Sequence, residues 1–554
     1  MQAGWPWFGA VLLVTALISW MPLVPTLGGL FSADAWRDLQ QARLQTLLLR
    51  TLWFSAATGF GAVLLGAPLA ILARRTQLPG AGIFQLLLPL PLFLPPLLIA
   101  QAWHGLTGMD GIAAAIFSLA ASYAPFPALL VMRALDRQPG SSHEAAILAG
   151  GGRAAAGEMV RRALPAAALG GALAFLFAST DFAVPDYFAA VGDKFTVYSF
   201  EVFNAWRGPA TGYLDGARAA SPLVAAAALV FWLSLQTKDL LGAPDPISGR
   251  PPAALSLGAW RWPAFVLSLA VLAVLLLLPL GRILYETGYR PQAQIAAQGG
   301  TAAPGGASNA LAPAPNPAPG PGAATPSSSL TWSQRSQKAF QDALELGRGD
   351  LIRSLRTGLL AALLVLLLAP PWAHALLRLG PGWKQRLVAL ALALPLIAPA
   401  VGFGLGAILV FNRDLFFEFY ESPTLPPLVM AGRYLPVAVF LLLDRLQRVP
   451  DSQEESAQLA GASYFARVFR YRLGPQKKAW WLSAGFVAVF AMRELDLAIL
   501  LPAANHSAAV RYYNALHFSR DNFIAAFGLL IALVLFLPVM LQATLRLLSP
   551  KEEA

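Results

Sequence analysis

The sequence predicts an all-α membrane protein with about twelve transmembrane helices, arranged as two parallel halves of six helices each. The chain of 554 residues is 57% apolar but only 12% charged, about half the charged fraction of an ordinary soluble domain. Its apolar residues fall in runs of roughly 20, the length that a helix needs to cross the hydrocarbon core of a bilayer. Landmark motifs of the first half return in the second half in the same order, which indicates an internal duplication.

The charge distribution favours a lipid bilayer, and not a nucleic acid, as the environment of the chain. The formal net charge is +11, but Lys and Arg are concentrated at span ends and in particular loops, as membrane orientation requires. The sequence contains no cysteine, which excludes disulfides, thiolate metal sites and cysteine nucleophiles. The first apolar run lacks a preceding basic residue and a clear cleavage site, so we predict a retained span and no signal peptide.

Taken in order, the apolar runs divide the chain into a first half (1–241), a cytoplasmic linker (242–262) and a second half (263–554). Six spans are predicted in each half, and the landmark motifs stand in the same order in both halves. The predicted spans are 8–30, 52–73, 83–105, 111–132, 166–190, 220–241, 263–285, 357–377, 387–411, 425–443, 478–502 and 523–547.

Three pairs of motifs carry the repeat. They are Leu49-Arg-Thr51 with Leu355-Arg-Thr357, Leu90-Pro-Leu-Phe-Leu-Pro-Pro96 with Leu394-Pro-Leu-Ile-Ala-Pro-Ala400, and Leu135-Asp-Arg137 with Leu443-Asp-Arg445. With six spans between equivalent points, the two halves have the same orientation in the membrane. The second half alone carries a Pro/Ala-rich insert at 292–329, whose composition predicts disorder and favours a tolerated loop insertion over a functional tether.

A short polar helix is predicted in one loop of each half. In both loops a Ser stands three residues before a Glu, at Ser141 and Glu144 and again at Ser452 and Glu455, which is the pattern of a capping box. A Gly follows each Glu by six residues, at Gly150 and Gly461, and suits a left-handed helix stop. Basic residues surround both loops, so the positive-inside rule places them in the cytoplasm and the insert outside.

These loops resemble the EAA loop of type I (MetI-like) permeases of binding-protein-dependent ABC importers. The first loop, 139–165, has Glu144-Ala-Ala146, Gly150 and Leu164-Pro165, and the second, 450–475, has Glu455-Ser-Ala457, Gly461 and Leu473-Gly-Pro475. Both depart from the family pattern, the first by two extra residues and the second by Ser456 and Gly474. The resemblance covers nearly the whole chain except the insert.

The resemblance implies two permease modules fused in one inner-membrane polypeptide with a cytoplasmic C-terminus. Its implied partners are two ABC ATPase subunits and one extracytoplasmic solute-binding protein. The implied ATPase-coupling residues are Glu144, Ala145, Ala146, Gly150, Glu455, Ala457 and Gly461. The sequence has no Gly-x4-Gly-Lys-Ser/Thr motif, so we expect ATP on the partner subunits, no cofactor in this chain and no enzymatic activity of its own. Well-capped connecting helices without a docking role are the alternative.

Acidic residues at membrane depth are candidates for the translocation path, because ionisable groups are costly there. Two segments at equivalent places supply Asp181, Asp186, Tyr187, Glu494 and Asp496. Carboxylate and phenolate oxygens are ligands for hard cations; structural hydrogen bonds, and neutralisation by Arg493, are the alternative. We predict no resident metal site, because the five histidines are scattered.

The two acidic segments look most similar to the iron(III) importer permeases, with thiamine or phosphonate importers as alternatives. A secondary transporter of the major-facilitator type would also have two parallel six-span halves. That class gives no reason for a Glu-Ala-Ala helix in both halves. A membrane scaffold that transports nothing is a third alternative, which the repeated intramembrane acids disfavour.

Overall fold

A computed structural model describes residues 5–32, 37, 40–137, 140–205, 212–237, 254–289, 330–518 and 522–548. The insert at 292–329 and most of the linker lie outside the described residues. Within the described ranges the chain is helical, and its only bridge between extended segments joins Thr76 to Leu255.

The first half is built from helices that follow the predicted spans. A π-helical turn at Ala16–Trp20 and a 3-10 turn at Met21–Leu23 join the first two helices. The α-helices are α1 (Trp5–Thr15), α2 (Val24–Gly29), α3 (Ala42–Arg75), α4 (Ala81–Leu87), α5 (Pro96–Thr107), α6 (Gly111–Tyr123), α7 (Pro125–Asp136), α8 (Gly140–Thr180), α9 (Ala183–Val191), α10 (Tyr198–Ala205), α11 (Tyr213–Ala219) and α12 (Ser221–Thr237).

The second half repeats this order with a longer second span. Its α-helices are α13 (Arg261–Leu272), α14 (Leu278–Glu286), α15 (Trp332–Leu379), α16 (Trp383–Ile397), α17 (Ala400–Phe411), α18 (Phe417–Glu421), α19 (Leu425–Leu446), α20 (Asp451–Leu459), α21 (Lys477–Arg493), α22 (Ala508–Phe518) and α23 (Asn522–Leu548).

Eight helical segments in the described residues are long and apolar enough to cross a membrane, or up to ten if each of two bent helix pairs is one span. The chain is therefore a helical, multi-pass membrane protein. The count of twelve stays a prediction.

The third predicted span of each half is not a continuous helix. Residues 81–93 and 96–107 meet at 101°, and α16 and α17 meet at 91°. The spans predicted at 83–105 and 387–411 are each bent, because these runs contain helix-breaking prolines. Pro95, Pro96 and Pro399 lack an N–H and cannot continue the helical hydrogen-bond ladder.

The fifth predicted span of each half also ends at a break. The span predicted at 166–190 consists of the end of α8 and, after Asp181, the short helix α9. The span predicted at 478–502 consists of α21 and a 3-10 turn at Ala498–Leu500. Four helix breaks, two in each half, therefore meet inside the protein.

The first helix of the first half packs against the second half. Ser19 Oγ donates to the Gly432 carbonyl at 2.9 Å, and Trp372 Nε1 donates to Thr15 Oγ1 at 2.9 Å. A Cβ built on Gly406 would lie 1.7 Å from the Pro22 carbonyl oxygen. These close approaches require glycine, so the backbones of the two halves touch directly.

The first span of the second half packs reciprocally against the first half. Leu272, Leu275 and Leu276 belong to a buried cluster made mainly by the first half. Gln101 Nε2 donates to Glu286 Oε2 at 3.0 Å. Because each half holds the first span of the other, the two halves form one structural unit.

We predict that Gly432→Ala lowers the stability of the whole chain. Its Cβ would stand 2.1 Å from the Ile18 carbonyl oxygen, and overpacking of this kind costs about 1–3 kcal/mol. Thermal unfolding in detergent should show a lower midpoint for Gly432→Ala. The matched control is Gly485→Ala, because nothing lies within 4 Å of a Cβ at this helical glycine. Equal midpoints for the two variants would contradict the close approach.

Candidate functional site

A small polar cavity of about 60 Å³ lies where the helix breaks of the two halves meet. Its walls come from both halves and include three of the predicted path residues. The polar residues that line it are Tyr123, Thr180, Asp181, Arg433, Tyr434, Arg493, Glu494, Asp496 and Tyr512. A volume of this size holds a few water molecules or one small ion.

Two buried arginines satisfy the backbone carbonyls that the broken helices leave without a partner. Pro96 has no N–H for the carbonyl of Leu92, four residues earlier, and Arg493 donates to that carbonyl and, at 3.3 Å, to the carbonyl of Leu94. An unpaired carbonyl away from water costs free energy, so Arg493 stabilises the bend of the first half.

Arg433 does the same for the second half. Pro399 leaves the carbonyl of Pro395 unpaired, and Arg433 Nη1 donates to that carbonyl and to the carbonyl of Ala398, both at 2.9 Å. The hydrogen bonds of Arg433 and Arg493 thus go to backbone carbonyls. The sequence-based alternative, in which Arg493 only neutralises a neighbouring acid, is therefore incomplete.

Two of the three carboxylates in the cavity hold the backbone at the other helix breaks. Asp181 Oδ1 accepts from the Val184 N–H at 3.0 Å, in the first turn of α9. Glu494 Oε1 accepts from the Leu497 N–H at 3.2 Å, and its other oxygen accepts from the Tyr434 hydroxyl. Both acids therefore have the structural role that the sequence left open, in addition to any role in transport.

Asp496 differs from the other two acids because its hydrogen bond to the backbone is long. Its Oδ2 accepts from the Phe182 N–H at 3.4 Å, across the boundary between the halves. No group of three or more His, Asp or Glu side chains within the described ranges is arranged to hold a metal ion. The three acids line the cavity without forming such a group.

The other two predicted path residues do not line this cavity. Asp186 Oδ2 accepts from the Tyr513 hydroxyl at 2.6 Å. The ring of Tyr187 stands edge-on to His104 at 6.0 Å. Both belong to helix α9, beyond the break at Asp181, and so lie apart from Asp181, Glu494 and Asp496.

An aromatic layer separates this cavity from a second one. Phe177 and Phe490 stack at 5.9 Å between ring centroids. Each stands four residues before an acid of the cavity, Asp181 and Glu494, so the two rings occupy equivalent positions of the repeat. Phe177 lines both cavities.

The second cavity, of about 290 Å³, is almost entirely apolar. It runs from the aromatic layer to the ends of α7 and α19, which lead into the loop helices. Leu130 of α7 and Leu441 of α19 line it from equivalent positions, and Arg133, Arg137 and Asp444 line it near the ends of these helices. The two cavities and the layer between them form one axial series between the halves.

The first loop helix is the beginning of α8. It is interrupted by Gly150, at φ −165° and ψ 23°, and by Gly151, at φ +66°. The helix break predicted at Gly150 is present, with the left-handed residue one position later. Glu144, Ala145 and Gly150 are exposed and Ala146 is half-buried. The side chain of Ser141 lies outside the described part, but α8 begins at Gly140, so Ser141 is inside the helix and does not precede it.

The second loop helix is α20, and Gly461 follows it at φ +78°, as predicted. Its capping box was a wrong prediction. Pro450 occupies the N-cap position and no side chain caps the helix, because the helix starts one residue before Ser452. Glu455 is exposed and Ala457 is buried.

The residue that anchors α20 is Glu454. It is 1% exposed and accepts from His374 Nε2 at 3.0 Å, Arg378 Nη2 at 2.7 Å and Arg472 Nε at 2.7 Å. Burial alone would raise the pKa of the Glu454 carboxyl, but the hydrogen bonds from His374, Arg472 and Arg378 outweigh it and hold that pKa well below its usual range. Since His374 and Arg378 belong to α15, α20 is attached to a membrane-spanning helix.

Both loop helices expose a leucine. Leu148 is 88% exposed and Leu459 is 90% exposed. Each stands four residues after Glu144 or Glu455, on the same helix face as that acid. A single exposed leucine needs no explanation, but here two stand at equivalent positions of the repeat.

Sequence reasoning missed several residues of the site. Tyr123-Ala-Pro125 and Tyr434-Leu-Pro436 repeat with the same spacing as Glu144 and Glu455, and this pairing could have placed both tyrosines at the centre. Arg433 is an intramembrane charge that could have been noticed. The sequence could not show which of Glu454 and Glu455 is the buried anchor, because either adjacent carboxylate could face the protein.

Neither a protein-family model nor a curated protein matches this sequence. The function of the chain must therefore be inferred from its own residues and their geometry.

We predict that Arg493→Met destabilises the protein. The Leu92 carbonyl would lose its donor, and an unsatisfied buried polar group costs about 1–3 kcal/mol. The midpoint of thermal unfolding in detergent should fall for Arg493→Met and fall less for Arg493→Lys, which keeps a donor. Arg161→Met is the control, since the Arg161 side chain is 79% exposed. An Arg493→Met protein as stable as this control would contradict the assignment.

Proposed function

We propose that this chain is the permease of an ATP-driven, binding-protein-dependent importer of the type I class, with both pore-forming modules, six spans each, in one polypeptide. Its two loop helices bind ATPase subunits in the cytoplasm, and an extracytoplasmic binding protein delivers the solute. The chain itself carries no catalytic site and holds no cofactor.

The observation that carries this proposal is the matched pair of loop helices. Each presents a carboxylate and an almost fully exposed leucine one turn apart, at Glu144 and Leu148 and at Glu455 and Leu459. One exposed leucine is ordinary on a protein surface, but the same exposed residue at equivalent positions of two repeated helices favours a shared contact. Two equivalent surfaces fit two copies of one partner. The basic residues around both loops support a cytoplasmic location.

The axial series of cavities supports solute passage between the two halves. The polar cavity has three carboxylates, and its two arginines are engaged by backbone carbonyls. This charge arrangement favours a cation. Its small volume, about 60 Å³, favours a compact ion, so we propose iron(III) as the solute. Thiamine is the second candidate, because Tyr123, Phe177 and Tyr434 line the cavity and suit an aromatic cation.

A secondary transporter is the alternative class. It would need no ATPase, and its two halves would not need matched apolar docking surfaces. The two classes differ in whether uptake stops when the partner ATPase cannot bind.

We predict that the double substitution Leu148→Asp and Leu459→Asp abolishes copurification of the proposed partner ATPase with this chain. A charge at the centre of an apolar contact commonly costs more than about 2 kcal/mol of binding energy, a loss of affinity of roughly thirtyfold or more. Leu415→Asp is the matched control, because Leu415 is also largely exposed, at 84%. It lies in the segment that precedes α19, whereas the loop helix α20 follows α19.

The pair Glu144→Ala and Glu455→Ala tests the acids of the same faces, with loss of transport coupling as the expected result. Undiminished ATPase association and uptake in both double variants would refute the docking role. Uptake that continues without any ATPase would favour the secondary transporter.

We predict that Asp181→Asn and Glu494→Gln together reduce uptake of labelled iron(III) by about tenfold, the effect of about 1.4 kcal/mol. Asparagine still caps a helix well, so the fold is kept while the charge is removed. Asp186→Asn is the control, because Asp186 lies outside the polar cavity. Cells that carry or lack the parent chain should be compared for iron and thiamine uptake; no difference in iron uptake would end the iron proposal.

A further inference from the structure

The apolar cavity ends at an ion cluster that joins the two halves. Asp444 of α19 in the second half accepts a hydrogen bond from Arg137, the residue that follows α7, and forms an ion pair with Arg133 of α7 in the first half. The side chain of Asp444 is 13% exposed, and those of Arg137 and Arg133 are 16% and 23% exposed. By contrast, Arg74 with Asp136, and Arg448 with Asp444 at 3.9 Å, pair within one half.

Arg133 and Asp444 occupy equivalent positions of the repeat. Arg133 and Asp444 are 311 residues apart, the same separation as Tyr123 and Tyr434 and as Glu144 and Glu455. The motifs Leu135-Asp-Arg137 and Leu443-Asp-Arg445, matched from the sequence, are separated by three residues fewer than these pairs. In a symmetric dimer of identical chains, a residue at such a position would face its own copy. The duplicated chain instead places opposite charges there.

This ion cluster lines the apolar cavity close to the points where the chain enters the two loop helices. Arg133 and Arg137 lie at the end of α7, about 10 Å and about 16 Å along the helix from Phe126, whose ring packs 5.0 Å from Phe177 of the aromatic layer. The cluster and the aromatic layer therefore both line the apolar cavity, at different levels along α7. Beyond Arg137 the chain enters α8 within three residues, and beyond Asp444 it enters α20 within seven.

We propose that Arg133, Arg137 and Asp444 form an ionic gate at the inner end of the pore, which opens when the loop helices draw α7 and α19 apart. This inference rests on the proposed function as a permease. Removing one partner of a partly buried ion pair leaves an uncompensated charge, so the closed arrangement loses stability when Asp444 is neutralised.

The chain contains no cysteine, so a single introduced thiol can report on the gate. Ser234 lines the apolar cavity and is 6% exposed, and Ser234→Cys is a near-isosteric change. The rate at which a water-soluble, membrane-impermeant maleimide labels this cysteine is measured with purified chain in lipid nanodiscs. Adding Asp444→Asn should increase that rate by about tenfold, equivalent to about 1.4 kcal/mol.

Two further variants separate a gate from a general loss of structure. Asp136→Asn breaks an ion pair at the same end of α7 within one half, and it should leave the labelling rate unchanged. The exchange Arg133→Asp with Asp444→Arg keeps one carboxylate and two guanidinium groups, and it should restore slow labelling. An unchanged rate in Asp444→Asn, an equal increase in Asp136→Asn, or fast labelling after the exchange would overturn the gate.

This assay needs no ATPase. A failed gate therefore shows in the labelling rates, whereas a failed importer proposal shows in the copurification of the ATPase with the chain.

Discussion

Away from water, every backbone carbonyl needs a donor, and this requirement shapes the centre of the protein. The prolines that bend one helix pair in each half remove the N–H groups that would have served Leu92 and Pro395. Arg493 and Arg433 supply the missing donors. Irregular backbone at membrane depth is tolerated only where protein or water satisfies it, so the bends and the arginines depend on each other.

The polar cavity follows from the same requirement. Two arginines brought in for the carbonyls carry positive charge into the protein interior, and buried charges need partners or nearby opposite charge. Asp181 and Glu494 supply that charge while also holding the N–H groups of the neighbouring breaks. Three carboxylates face two arginines in this cavity, and the third carboxylate, Asp496, accepts a long hydrogen bond of 3.4 Å from the Phe182 N–H. A cation that passes between the halves would meet this surplus.

The fold class could be predicted from the sequence because apolar run length and motif order are both encoded locally. The helix bends could not, since the runs at 83–105 and 387–411 are long enough to span a bilayer, and composition alone does not show that the prolines turn them by 91° or more. Asp181, Glu494 and Asp496 were found as charges in apolar surroundings. Asp186 has the same local signature, but the break at Asp181 turns it away from the cavity, and no local pattern shows that.

Duplication within one chain allows the two halves to differ where identical subunits could not. Because the first span of each half packs against the other half, the two halves always stay together. The sequence of one half can therefore change while it keeps the same partner. Arg133 opposite Asp444 is one such difference. The anchor of α20 is another: Glu454 ties that loop helix to α15 through Arg378 and His374, whereas Arg161, at the position equivalent to Arg472, pairs with Glu158 on its own helix. A movement of α20 is therefore transmitted to α15 through buried charges. The first loop helix is joined to the rest of α8 through the glycine break at Gly150–Gly151, so the two loop helices are matched in form but differ in how stiffly they are connected to the membrane-spanning helices.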